Sequence, residues 1–232
     1  MCRIGTAGWS VPPQPKREET RLYRYSRIFS CVEINSTFYR SHLLATWKRW
    51  AAETPPGFQF SIKAPKTITH TAKLRDTELL LEAFFEQIMP LREKKGPVLF
   101  QLPPSLAFDS GLVENFLISV RKLYQTEAVL EPRHSSWFNP AANALLQKYK
   151  IARVAADPPQ GGPEACEPGG NTGLTYYRLH GSPRIYYSNY LDGFLYSMAA
   201  KISADENTWV IFDNTAVAHA YSNALQLQTI AK

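Results

Sequence analysis

Cysteine is scarce in this chain. Cys2, Cys31 and Cys166 are the three present in 232 residues, and they share no C-x-x-C spacing and no partnering histidine. A disulfide framework and a zinc knuckle are therefore both excluded, and the thiols are expected to be buried or free. No apolar run approaches the ~18 residues that a membrane span needs. No apolar signal segment precedes the strand-like Cys2-Arg3-Ile4-Gly5-Thr6. The expected address is cytoplasmic, with no membrane partner. Gly5-Thr6-Ala7-Gly8 makes a tight turn after the first strand but lacks G-x-G-x-x-G, which argues against an open dinucleotide-binding sheet. There is no H-x-H and no H-E-x-x-H, and Ser10, Ser135 and Ser182 sit in no G-x-S-x-G elbow.

What is present is a regular alternation. Charged residues make up 20% and apolar residues 44%, ordinary globular values, and the net charge of +6 mildly favours anionic partners. Eight short apolar runs read as strands: Arg3–Ala7, Cys31–Ile34, Phe58–Lys63, Val98–Leu102, Ala128–Leu130, Ile151–Ala155, Tyr176–Leu179 and Trp209–Phe212. Segments of helical period lie between them: Glu18–Phe29, Leu43–Ala52, Asp76–Lys95, Leu112–Tyr124, a helix opened by Asn139-Pro140, Tyr190–Lys201 and Thr215–Ala231. Pro158 to Gly173 holds four prolines and five glycines, so a loop is expected to replace the sixth helix. Eight strand-helix units in one domain spanning residues 1–232 predict a small α/β chain of the (β/α)8 TIM-barrel class.

In such a barrel, function gathers at the C-terminal strand ends. Glu131-Pro132-Arg133-His134-Ser135-Ser136-Trp137, directly after Ala128-Val129-Leu130, carries too much polar chemistry for packing alone. Read with a period of two, the other strand ends supply Glu33 and Asn35, Ser61 and Lys63, Gln101, Asp157, Arg178 and His180, and Asp213. A ring of this kind is costly unless its members pair with one another or with a ligand. The bland alternative is an internal salt-bridge network.

Five segments carry a resemblance. Glu33-Ile34-Asn35-Ser36-Thr37-Phe38-Tyr39, Lys63-Ala64-Pro65-Lys66 with Thr69-His70, Phe100-Gln101-Leu102-Pro103-Pro104, Glu131-Pro132-Arg133-His134 with Trp137, and Arg178-Leu179-His180-Gly181 are similar to motifs of the YecE-like family, domain of unknown function 72. The resemblance implies a TIM barrel and supplies no reaction.

Three chemistries compete at the ring. Glu131, His134, Asp157, His180 and Asp213 offer oxygen and nitrogen ligands, but their spacing matches no known metal set, so no cofactor is expected and a divalent metal is the minor alternative. Proton transfer would fall to His180 and Glu131. Anion binding is the most economical use: Lys63, Arg133 and Arg178 would hold phosphate or carboxylate oxygens, with Asn35, Gln101, Asp157 and Asp213 around the substrate. Trp137 would stack on a sugar ring or base, as would Trp9, Phe38, Tyr39, Tyr186, Tyr187 and Tyr190. The leading expectation is an enzyme acting on a phosphate-bearing or polyhydroxylated substrate, a small anionic or sugar-like ligand. The alternatives are a nucleic-acid-binding, nuclease-like barrel and a non-catalytic ligand-binding protein.

Overall fold

A computed structural model describes residues 2–13, 19–202 and 207–231. Its strands are β1 (Arg3–Thr6), β2 (Cys31–Ile34), β3 (Gln59–Lys63), β4 (Lys95–Gln101), β5 (Ala128–Glu131), β6 (Ala152–Arg153), β7 (Ala155–Asp157), β8 (Gly169–Gly170), β9 (Thr175–Leu179) and β10 (Thr208–Phe212). The helices are α1 (Arg21–Ser26), α2 (Leu44–Glu53), α3 (Glu78–Ile88), α4 (Ser110–Leu123), α5 (Pro140–Lys148), α6 (Asp192–Ile202) and α7 (His219–Ile230). The fold is mixed α/β with parallel strands. One sheet runs β1-β10-β9-β7 and the other β2-β3-β4-β5-β6-β8, and every pairing is parallel except that of β6 with β8.

Two differences from the sequence pattern matter. The expected strand Ile151–Ala155 is split: β6 pairs with β5, while β7 pairs with β9, so this segment hands over from one sheet to the other at Val154. At the opposite edge, Ala7 bridges Glu33 and the Gly8 amide donates to the Glu33 carbonyl at 2.8 Å. Gly5 permits that approach of β1 to β2, since an added Cβ would run into the Cys31 carbonyl. No α-helix lies between β7 and β9, where a single turn at Pro163–Cys166 and the two-residue β8 fill the connection. Prolines remove the amide donors that a helix would need there.

Helix ends are shorter than the apolar pattern suggests. Of the expected Glu18–Phe29 helix, Glu18 lies outside the described residues and α1 starts after Thr20, whose side chain accepts from the Tyr23 amide. The α7 helix begins four residues late, at His219, because Ala218 takes a left-handed φ of 65°. Asn139 caps α5 as expected, its side chain accepting from the Ala142 amide. His42 is not helical. It precedes α2, its ring edge-on to Trp47 and Trp50.

The apolar side chains fall into two clusters. A large one joins side chains of the helices to side chains of the strands, and a smaller one includes Ala7, Cys31, Leu99, Val129, Ala152, Val154, Tyr176, Trp209 and Ile211. Along β2, β4, β5 and β10 the members of the small cluster alternate with members of the large one, as a pleated strand requires. Among the described residues, no helix is long and apolar enough to cross a membrane.

Candidate functional site

The polar ring follows from that alternation. Two residues beyond Cys31, Leu99, Val129, Tyr176 and Ile211 come Glu33, Gln101, Glu131, Arg178 and Asp213. Each therefore lies on the same face of its strand as that cluster member, one layer nearer the C-terminal strand end. Lys63 continues Ser61 on β3 in the same way, and His180 continues Arg178.

Arg178 is the hub. Its side chain is fully buried, and its guanidinium reaches three carboxylates: Glu33 through Nε at 3.0 Å and Nη2 at 2.8 Å, Glu131 through Nη1 at 2.6 Å, and Asp213 through Nη2 at 2.9 Å. His180, also fully buried, places Nδ1 3.1 Å from Asp213 Oδ2 and Nε2 3.2 Å from Glu131 Oε1. Burial works to lower the imidazole's pKa, but the Glu131 and Asp213 carboxylates raise it above its ordinary value, favouring imidazolium. Burial works the other way on Glu131, where Arg178, Arg133 and His180 prevail and hold its carboxyl well below the usual range. Asp213 is likewise lowered, with Arg178 and His180 outweighing burial. Beneath the ring, the Tyr176 hydroxyl sits 2.9 Å from Glu33 Oε2 and 2.7 Å from Ser61 Oγ, and burial with the nearby Glu33 charge keeps it protonated.

The expected site residues divide by what they touch. His180, Glu131, Arg178, Arg133, Gln101, Asp213 and Asn35 form one connected network. Gln101 Nε2 donates to both Glu131 oxygens, Arg133 donates to Glu131 Oε1 through Nε and Nη2, and Asn35 Nδ2 lies 3.4 Å from Asp213 Oδ1. Asn35 Oδ1 is buried with no partner among the described residues. Lys63 is nearly buried beside this network, and its ammonium makes no hydrogen bond or ion pair among the described residues. It stands over the face of Phe38, 4.4 Å from the ring centre. Burial and the Arg178 charge lower the Lys63 pKa to about 8 against the opposing pull of Glu33, Glu131 and Asp213. Arg133 keeps 14% of its side chain exposed, so it and Lys63 are the cations within reach of solvent.

Two expected residues stand apart. Trp137 is 1% exposed, and its indole nitrogen donates to the Leu106 carbonyl at 2.9 Å while its ring packs on Phe108, so it has no free face to stack on a ligand. Trp137→Phe should cost about 1–3 kcal/mol in urea unfolding by orphaning that carbonyl and loosening the packing. It should leave ligand binding at the ring unchanged, and a loss of binding would return Trp137 to the site. Asp157 Oδ1 accepts from the Tyr190 hydroxyl at 2.7 Å, on the rim rather than in the network. Of the other aromatics, Trp9 packs on Trp50 and Tyr190 is buried, whereas Tyr39 is 73% exposed. The Tyr186 ring stands edge-on to His180, its backbone at a φ of 70°. His134 caps the turn after β5, its Nδ1 accepting from the Ser136 amide.

Sequence reasoning offered Glu33 as an alternative to Glu131 for the carboxylate partnering His180, and did not select Tyr176. The spacing Tyr176-x-Arg178-x-His180 was the available signal for the latter. The five candidate metal ligands do not converge on a common point: Glu131, His180 and Asp213 enclose the Arg178 guanidinium, while Asp157 and His134 face other partners. Among the described residues, no group of three or more His, Cys, Asp or Glu is disposed to hold a metal ion.

Comparison with known proteins identifies relatives of this chain and their shared fold. The UPF0759 protein YecE of Escherichia coli (strain K12) is 37% identical over 103 residues, 44% of this chain and 38% of that protein. The UPF0759 protein YunF of Bacillus subtilis (strain 168) is 29% identical over 150 residues, 60% of this chain and 53% of that protein. The matched stretches thus span less than two thirds of either curated relative. Solved structures align along nearly the whole chain. A DUF72 family protein of Thermotoga maritima superposes with a TM-score of 0.83 at 26% identity, covering 99% of this chain and 98% of its own. One from Enterococcus faecalis V583, at 22% identity and a TM-score of 0.83, shares the fold. The family model described as "Protein of unknown function DUF72" matches residues 3–232, the span that contains every strand and every member of the ring, and the chain belongs to that family.

Proposed function

We propose that the two sheets close into one eight-stranded TIM barrel, and that its C-terminal mouth is the site of an enzyme acting on a small substrate with an anionic, phosphate or carboxylate, group. The handover at Val154, the Ala7–Glu33 bridge and the inner cluster shared by strands of both sheets support closure. The observation that carries the site reading is how its charges pair. Arg178 and Arg133, with His180 drawn toward imidazolium, are the groups that pair with the three carboxylates Glu33, Glu131 and Asp213, and Lys63 is the further cation, without a hydrogen bond or ion pair among the described residues. An ammonium held in a largely desolvated place without a hydrogen-bonding partner is costly, and an anion at the mouth would relieve that cost.

Roles follow from position. Lys63 and Arg133 contact the anion. Arg178 contributes field from behind, and His180 and Glu131, saturated by their neighbours, hold Arg133 and Arg178 in place. Asn35 Oδ1 is an acceptor for a hydroxyl of the same ligand.

The test is thermal unfolding of the wild type, Lys63→Met and Arg133→Met with inorganic phosphate, sugar phosphates, carboxylic acids and short oligonucleotides. A ligand at 100 times its dissociation constant adds about 2.7 kcal/mol. Stabilisation of the wild type by small anions, lost in both variants, is expected. Stabilisation by oligonucleotides alone, falling steeply with salt, would replace this reading with a nucleic-acid one. No shift with any compound would leave the ring a structural network.

A further inference from the structure

Two lysines in this protein have the same exposure and differ in how the ammonium is partnered. Lys63 and Lys94 are each 8% exposed. The Lys94 ammonium is capped by three oxygens, the Ala51 and Thr54 carbonyls and Thr54 Oγ1, as a structural lysine should be. Lys63 has no such cap among the described residues. Its Nζ stands at the C-terminal end of β3 over the Phe38 ring, whose edge meets the His70 ring at 4.9 Å. His70 lies in a single π-helical turn, Thr67–Thr71, an uncommon conformation that recurs at functional sites.

We propose that Lys63 is a nucleophilic amine, and that the site joins it to the carbonyl carbon of a small aldehyde or ketone that also bears the anionic group. The proposal rests on the anion reading above and names the substrate class for that site. An uncapped amine beside other cations, in a setting poor in water, is how a lysine is activated for imine formation. Arg133 holds the anion, and the carbonyl comes to rest against Nζ.

The step balances without a redox partner. The ammonium releases a proton, and its nitrogen attacks the carbonyl carbon to form a carbinolamine. The carbinolamine oxygen takes a proton and leaves as water, giving an iminium. Ammonium plus carbonyl thus become iminium plus water, with no net change in protons. His70, its pKa lowered by burial and by the Lys63 and Arg133 charges, is a neutral imidazole on the same Phe38 ring and carries the proton between the two stages.

The groups facing Lys63 set its pH response. Glu33 from β2, Glu131 on β5, Arg178 on β9 and Asp213 after β10 act on it, and its own charge acts on His70. Burial and the Arg178 charge prevail over the carboxylates, leaving Lys63 at about 8. At pH 7 its free-amine fraction exceeds that of an ordinary lysine, near ~10.4, by roughly two orders of magnitude. The lower basicity returns part of that gain as weaker nucleophilicity, so a rate advantage of roughly tenfold is expected.

The experiment treats the wild-type protein with sodium cyanoborohydride and glycolaldehyde phosphate, dihydroxyacetone phosphate or pyruvate, then locates reduced adducts by peptide mass spectrometry. Lys63 should label ahead of the exposed lysines, with a midpoint near pH 8, and inorganic phosphate should suppress the labelling. If phosphate stabilises the protein through Lys63 and Arg133 yet Lys63 labels no faster than exposed lysines, the amine chemistry is wrong and the anion site stands. If Lys63 labels preferentially but phosphate neither suppresses this nor stabilises the fold, the anionic half of the substrate is wrong and the proposal falls with it.

Discussion

Replacing Arg178 with leucine will lower the unfolding free energy by about 3–5 kcal/mol, the penalty for removing one partner of a buried ion cluster. For a chain of this length that is a fall in midpoint of roughly 6–20 °C. The size follows from what is left behind. Glu33 and Glu131 are essentially inaccessible and Asp213 is 6% exposed, and all three pair with this guanidinium, which is the one cation ion-paired to Glu33 among the described residues, while Glu131 keeps Arg133 and His180 and Asp213 keeps His180. Arg178→Lys should recover little, because one ammonium cannot match a planar fork that reaches three carboxylates. The defect should shrink in acid, where the stranded carboxylates can neutralise themselves by taking up protons. Urea unfolding of wild type and variant at pH 7 and pH 4 measures both effects. A loss below about 1 kcal/mol at pH 7, the size of an exposed ion pair, would mean that water reaches the cluster.

Lys63→Met will have the opposite sign. Its pKa falls from 10.5 to about 8, so the folded state disfavours the charged ammonium. The difference corresponds to about 3 kcal/mol. Methionine of similar length should recover about 1–3 kcal/mol of that, while abolishing stabilisation by small anions. Gain of stability with loss of binding is what a functional residue gives and a structural one does not.

The same shift sets a pH signature. Between about 8 and 10.5 the unfolded chain carries the Lys63 proton and the folded one does not, so this group makes stability rise with pH through that window. His180 acts in the other direction. Its folded pKa is raised above the ordinary imidazole value of 6.5, so its contribution is complete below 6.5 and is lost as pH rises through the folded value. Glu131 and Asp213, both lowered, contribute above their unfolded values of 4.5 and 3.8 and lose that contribution in acid. In Lys63→Met the alkaline rise should vanish while the other trends persist. An unchanged alkaline limb would show that Lys63 is not the group responsible.

The alternation of short apolar runs with helical segments, and the two-residue spacing of polar groups at the strand ends, were legible because pleat and helix periods are local properties of the chain. From them came the parallel α/β architecture, the missing sixth helix and the identity of nearly every ring member. Which of those members face a ligand was not legible. Arg178 and Lys63 look alike in sequence as basic residues at strand ends, yet one is enclosed by three carboxylates and the other stands uncapped over Phe38. Trp137 reads as a rim aromatic until Leu106, 31 residues away, takes its indole hydrogen. Pairing, burial and the resulting charge balance depend on groups brought together from distant strands, with Glu33 and Arg178 separated by 145 residues. Local pattern thus determined where the polar chemistry gathers, and only the tertiary structure decided which charges are spent on one another and which one is left over.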